Sequence, residues 1–105
     1  MAGRGLSVVV AGTFRVPPEN FAALRPHLEA VIAATRAEDG CLTYSYARDV
    51  EDPGLVRVFE QWRDQAALDA HFQAPHMLTW QKVRVEHGFH DRRIRSYAVA
   101  EEREV

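Results

Sequence analysis

The sequence predicts an α+β protein of the ferredoxin-like class, with the element order βαββαβ. Segments in which apolar and polar residues alternate, as in strands, are separated by two stripes of helical period. Turn residues bound these segments, and the Pro-Gly turn within residues 49–54 lies between two strand-like stretches. That turn predicts a central antiparallel hairpin.

The first part of the chain predicts a strand followed by a long helix. Leu6 to Val16 is rich in β-branched residues and ends at a pair of prolines. An apolar stripe of helical period then runs from Phe21 to Thr35, with Gly40 as the expected stop. Because Pro26 lies inside this stripe, we expect either a kink there or a helix that begins near Arg25.

The middle of the chain predicts two paired strands. In the strand of residues 41–48, the side chains expected on one face are Leu42, Tyr44 and Tyr46. The returning strand covers residues 55–62, and the side chains expected on one side are Val56, Val58, Glu60 and Trp62.

The remaining segments predict a divided second helix and a last strand. Asp64 can cap the helix at its amino end, and Pro75 should break it and start it again, up to about Glu86. The side chains that share its inward face are Leu68, His71 and Phe72. Gly88 is the expected end of the helix, and Ile94 to Val99 forms the last strand.

Length and composition predict one globular domain that spans residues 1–105. The formal net charge of −2 gives no basic surface for nucleic acid. The single cysteine, Cys41, excludes an intramolecular disulfide and a cysteine-based zinc site. After Met1–Gly5, the apolar run Leu6–Ala11 is too short for a signal peptide or a membrane span, so we expect a cytoplasmic protein with no membrane association.

The predicted topology also predicts a homodimer. Two helical elements on one face of a four-stranded sheet leave its other face uncovered. Since the chain contains no further elements, a second copy of the chain is the expected cover.

Three segments of the sequence resemble the antibiotic-biosynthesis monooxygenase domain family. They are Gly40–Tyr44, Glu60–Trp62 and Ala66–Met77, and the resemblance is closest to the quinol monooxygenases of that family. It implies a dimeric α/β barrel with a pocket between sheet and helices. It also implies oxidation of phenolic or quinol-type substrates by O2 without a cofactor. The family further includes haem-degrading enzymes and signal-molecule isomerases, so the fold alone assigns no reaction.

The resemblance argues against the haem-degrading branch. Those members carry an asparagine on the first strand, a tryptophan on the second helix and an axial histidine. Here the single asparagine, Asn20, lies beyond the first strand, His71 occupies the tryptophan position and Gln81 the axial position. We therefore expect no haem, and no other metal or cofactor.

His71 and His76 are the candidate catalytic residues. Neutral imidazole accepts protons well near pH 7, and burial disfavours its charged form. His71 on the inward face can act as a general base, or it can be a core histidine bonded to a backbone carbonyl. His76, at the start of the restarted helix, can orient an oxyanion or lie at the surface. The His-x-x-His-Asp sequence at 87–91 lacks a helix to fix its spacing, so we predict no metal site there.

Aromatic side chains near His71 predict a flat aromatic ligand, although each of them could also be ordinary core. The residues predicted to bind the substrate are Tyr44, Tyr46, Trp62, Phe72 and Trp80. Two functions remain open at this point. One is a cofactor-independent oxygenase for a phenol, anthrone or hydroquinone, and the other is a module that binds an aromatic metabolite without turnover.

Overall fold

The computed structural model describes residues 6–105 and contains one antiparallel sheet with helices on one face. The strands are β1 (Val8–Arg15), β2 (Cys41–Arg48), β3 (Leu55–Trp62) and β4 (His90–Ala98). The helices are α1 (Phe21–Arg36), α2 (Gln65–Phe72) and α3 (Pro75–Glu86), and a 3-10 turn covers Pro18–Asn20. The sheet order is β2-β3-β1-β4 and each neighbouring pair is antiparallel. The predicted ferredoxin-like α+β fold is confirmed.

Alternating burial on the strands positions the core. On β1 and β3 the buried side chains point toward the helices, and they are Val8, Val10, Phe14, Val56, Val58, Glu60 and Trp62. This is the side predicted for β3. The opposite face is more open, since Phe59 is 42% exposed and Tyr97 is 52% exposed.

Helix α1 begins where the predicted stripe begins, which excludes the alternative of a start near Arg25, and it ends before the predicted stop. It begins at Phe21 rather than near Arg25 and includes Pro26 in its second turn, where a proline removes only one backbone bond close to the helix start. It ends at Arg36, before Gly40. The positive φ of 85° at Gly40 belongs to the entry into β2, and a Cβ there would lie 2.6 Å from the Cβ of Ala67.

The predicted break between α2 and α3 is confirmed. Asp64 caps α2, because its Oδ1 accepts a hydrogen bond of 2.8 Å from the Ala67 backbone. Pro75 is the first residue of α3. Strand β4 begins at His90, before the predicted Ile94, because His90 still pairs with Arg15 beyond a register shift between the pairs Thr13–Arg93 and Arg15–His90.

Leu42 and Phe72 are more exposed than the residues with which they were predicted to share a face. Leu42 is 59% exposed, because the register between β2 and β3 shifts between Cys41 and Thr43. Phe72 is 50% exposed at the end of α2. Tyr44, beyond the register shift, is buried as predicted.

The prediction for Met1–Gly5 falls outside the described residues. Within residues 6–105, no helix combines the length and the hydropathy needed to cross a lipid bilayer.

Candidate functional site

A cavity of about 220 Å³ lies between the helices and the sheet. Of the residues predicted to bind a substrate, those that border it are Tyr44, Tyr46, Phe72 and Trp80. His71 also borders it, whereas Trp62 and His76 do not. Trp62 is fully buried beside the His71 ring, with a distance of 4.7 Å between ring centroids. Phe72 borders the cavity although half of the residue is exposed to solvent.

His71 is held in a fixed position at the wall of this cavity. Only 1% of the residue is exposed, and its Nδ1 lies 2.7 Å from Oε2 of Glu38. The Tyr44 and His71 rings pack edge to face, with their centroids 5.5 Å apart. Glu38 and two aromatic rings thus fix the orientation of the imidazole.

His76 contacts the same carboxylate oxygen as His71. Its Nε2 lies 2.8 Å from Oε2 of Glu38, and its side chain is one-quarter exposed. Because an ionised carboxylate only accepts hydrogen bonds, the two ring nitrogens that face Glu38 carry protons. Glu38, His71 and His76 therefore form one hydrogen-bonded cluster, which joins the turn after α1 to α2 and to the start of α3.

Glu38 is the member of this cluster that the sequence analysis missed. It lies in the turn between α1 and β2, where its backbone N–H donates to Thr35 and its carbonyl accepts from Cys41. A turn has no periodicity that would mark an inward residue. A glutamate beside the Gly40–Cys41 pair is ordinary turn chemistry, so the sequence contained no usable signal for it.

A second carboxylate, that of Glu60, also borders the cavity. Glu60 is only 7% exposed, and its Oε1 accepts a hydrogen bond of 2.9 Å from Nε1 of Trp62. Burial raises the pKa of Glu60, and the hydrogen bond from Trp62 opposes that rise. The alternation of β3 predicted that Glu60 lies on the same side as Trp62, but it did not predict a role in the site.

The phenol groups of Tyr44 and Tyr46 form a hydrogen-bonded pair on β2. Their oxygens are 3.0 Å apart, and Tyr46 stacks on Trp80. Burial raises the pKa of both phenols. Both therefore stay protonated near neutral pH. One hydroxyl donates to the other, so one O–H of the pair remains as a donor for a ligand.

The cluster of Glu38, His71 and His76 contains residue types that bind divalent metals. The three ligand atoms lie within 4.8 Å of one another.

The histidines at 87–91 are engaged differently, since the ring nitrogens of His87 and His90 contact the carbonyl oxygens of Val83 and Gly88. Gln81 is exposed; by resemblance it occupies the position of the axial histidine in haem-degrading enzymes.

Comparison with known proteins identifies the family. The family model for antibiotic biosynthesis monooxygenases matches residues 7–83. The chain belongs to the antibiotic biosynthesis monooxygenase family. A relative from Mycobacterium tuberculosis, named "Putative monooxygenase Rv0793", is 41% identical over 70% of this chain and 71% of its own length. Family membership and this name support a monooxygenase-like role for the chain.

Other members extend the comparison. The Synechocystis protein sll1783, named as uncharacterised, is 42% identical over 66% of this chain, and the match spans 47% of the length of that relative. One solved structure is that of a "putative antibiotic biosynthesis monooxygenase" from Deinococcus radiodurans. It superposes on this chain with a TM-score of 0.86 at 30% identity, and the match covers 93% of this chain and 97% of that protein. PA3566 from Pseudomonas aeruginosa has a TM-score of 0.81 at 30% identity and covers 95% of this chain and 100% of its own.

Proposed function

We propose that this family member is a cofactor-independent monooxygenase that oxidises a small phenol or quinol with O2. The observation that carries the proposal is the fully buried imidazole of His71, which is held by Glu38 at the wall of the cavity. A base fixed in this way needs no reorganisation when it accepts a proton.

The proposed base atom is Nε2 of His71. Nδ1 faces Glu38, which does not border the cavity, and Nε2 lies at the far edge of the ring. Within residues 6–105, no side chain or carbonyl is hydrogen-bonded to Nε2. Its lone pair is therefore available to a ligand hydroxyl. His76 would act through Glu38, as a second proton donor to the carboxylate.

The proposed chemistry starts with loss of a proton from the quinol to His71. The resulting phenolate is electron-rich and passes an electron to O2, and the two radicals combine to form a peroxide. Loss of water then leaves one oxygen atom on the ring. A hydroquinone thus gains one oxygen and loses two hydrogens, which leave with the second oxygen as water. The substrate supplies all the electrons, so the step needs no cofactor.

The size of the cavity favours a single substituted ring. An apolar protein cavity of roughly 150 Å³ holds one benzene molecule. A cavity of about 220 Å³ leaves room for a ring with its oxygen substituents, but little for a polycyclic anthrone. Protonated Tyr44 and Tyr46 border it. One phenol donates to the other, and the second can donate a hydrogen bond to the oxygen that becomes negative.

The proposed functional unit is a cytoplasmic homodimer. The sheet face opposite the helices exposes Phe59 and Tyr97, and a second copy of the chain would cover them. The single free cysteine, Cys41, is in keeping with a reducing compartment.

Oxygen consumption by chelator-treated protein tests the proposed function. The substrate is hydroquinone, and the matched control is its dimethyl ether, which has no proton for His71 to remove. We expect saturable O2 uptake with the quinol and none with the ether, before and after EDTA.

Two outcomes would contradict the proposal. Saturable binding of the quinol without O2 uptake would identify a binding module for aromatic metabolites. Activity that is lost with EDTA and restored by one equivalent of a divalent ion would identify the Glu38, His71 and His76 cluster as a metal centre.

A further inference from the structure

The cavity is bordered by arginines that have no partner in the described part of the chain. Arg84, Arg92 and Arg95 border it, and none of them forms a hydrogen bond or an ion pair with another residue of 6–105. Every other arginine in that range donates a hydrogen bond to a carboxylate or carbonyl oxygen, as Arg63 does to Asp39 and Arg93 to Asp91. The unpaired guanidinium groups are therefore concentrated at one site.

Two of these arginines face the cavity. On β4, Arg92 lies on the same side as Ile94, which packs against the helix-facing core, whereas Arg95 lies on the alternate side. Arg84 comes from α3 and is half-buried, and Arg92 is exposed, which places it at the open side of the cavity. Both border the cavity, Arg84 from α3 and Arg92 from β4.

None of these arginines forms an ion pair with a carboxylate of residues 6–105, although the charge of Arg92 lowers the pKa of Glu60. Burial lowers the pKa of Arg84, and the nearby positive charge of Arg92 lowers it further. Glu60 borders the same cavity, but its carboxylate binds Nε1 of Trp62 rather than either guanidinium. A partly buried cation without a counter-ion is costly, and an anionic ligand would remove that cost.

We propose that the substrate is an anionic aromatic compound, whose ring occupies the cavity and whose oxyanion group binds Arg84 and Arg92. This inference rests on the proposed function, because it names the class of quinol that the cavity accepts. Guanidinium groups match the geometry of carboxylate and phosphate oxygens and pair with both in bidentate fashion. The hydroxyl to be deprotonated lies at the His71 end of the cavity, and the anionic substituent lies at the β4 end.

Calorimetric binding without oxygen separates this inference from turnover. The probes are 2,5-dihydroxybenzoate and its methyl ester, which differ in charge but have the same ring and hydroxyl groups. We expect the acid to bind about tenfold more tightly than the ester or better. The third probe, 4-hydroxyphenyl phosphate, identifies the preferred oxyanion, and whichever of the two anions binds more tightly is assigned as the group recognised.

Matched variants locate the recognition. Arg84→Gln and Arg92→Gln should each reduce the preference for the acid, and the double variant should abolish it while the ester still binds. Arg93→Gln is the control, because Arg93 is paired with Asp91 on the other side of β4. Retained binding of the ester shows that the variants are folded.

The inference is overturned if wild-type protein binds the acid and the ester equally, as it would if a second copy of the chain already neutralised the arginines. It is also overturned if neither probe binds, or if the double variant keeps the preference. Readmission of oxygen then tests the proposed function separately. Tight binding of the acid without O2 uptake leaves the anion site standing and contradicts the monooxygenase. Oxidation of hydroquinone by a protein that binds the acid and the ester equally supports the monooxygenase and contradicts the anion site.

Discussion

Glu38 and His71 are 33 positions apart in the chain, yet Oε2 of Glu38 lies 2.7 Å from Nδ1 of His71. The turn after α1 and the end of α2 meet at this contact, in a place where the imidazole is fully buried. A carboxylate that orients an imidazole, with the opposite ring nitrogen left free, is the arrangement found around general bases in enzymes.

The first prediction concerns Glu38, which we propose as a positioning residue for His71. Glu38→Gln removes the charge that holds two ring N–H groups, so kcat should fall about 10- to 1000-fold. KM should change little, because Glu38 does not border the cavity. The control is Asp39→Asn, since Asp39 pairs with Arg63 at the surface. Equal losses in both variants, or a loss confined to KM, would contradict the positioning role.

The second prediction concerns His71 itself. His71→Ala should lower the rate by about two to four orders of magnitude, because it removes the base. Added imidazole should restore part of the rate in His71→Ala, and His76→Ala should lose far less. A His71→Ala protein that melts early but turns over normally would make His71 structural and His76 the next candidate base.

The residues of this cluster show what the sequence can and cannot predict. His71 was predicted to point inward because it shares a helical face with Leu68, and it does. Glu38 was not predicted, because its position depends on how the turn packs against α2, which is a tertiary contact. The face predicted for Leu42 was wrong for a related reason. A register shift in β2 moves a side chain to the other face of the sheet, and the alternating pattern of the sequence does not reveal it.

The third prediction concerns the stability contribution of Glu60. Because burial raises its pKa, the folded protein favours the protonated carboxyl group. The protonated group therefore contributes to the free energy of unfolding at low pH, and this contribution is lost as the pH rises through the folded-state pKa. Glu60→Gln stays neutral and can still accept the hydrogen bond from Trp62. Its melting temperature should therefore exceed that of wild type at pH 8, and the two should converge at pH 4. Glu29→Gln, at an exposed ion pair, is the control, and an equal difference at both pH values would contradict the account.

The fourth prediction concerns the proposed dimer. Sedimentation at micromolar concentration should give a dimer, because the open sheet face exposes Phe59 and Tyr97. Phe59→Glu should produce monomers, since it would bury a charge at the interface. Leu78→Glu is the control, because Leu78 is 63% exposed on α3, away from that face. A stable folded monomer of the wild type, or equal dissociation in both variants, would remove the basis for this assembly.

The most direct test of the monooxygenase proposal is the source of the oxygen in the product. Metal-free protein is supplied with hydroquinone under 18O2 in ordinary water, and the product is reduced at once and analysed by mass spectrometry. Rapid reduction is needed because quinone oxygens exchange with water. The account predicts a ring compound with one additional oxygen atom that carries the 18O label, and its loss when His71 is replaced by alanine. A product with no added oxygen, or with oxygen derived only from water, would contradict it.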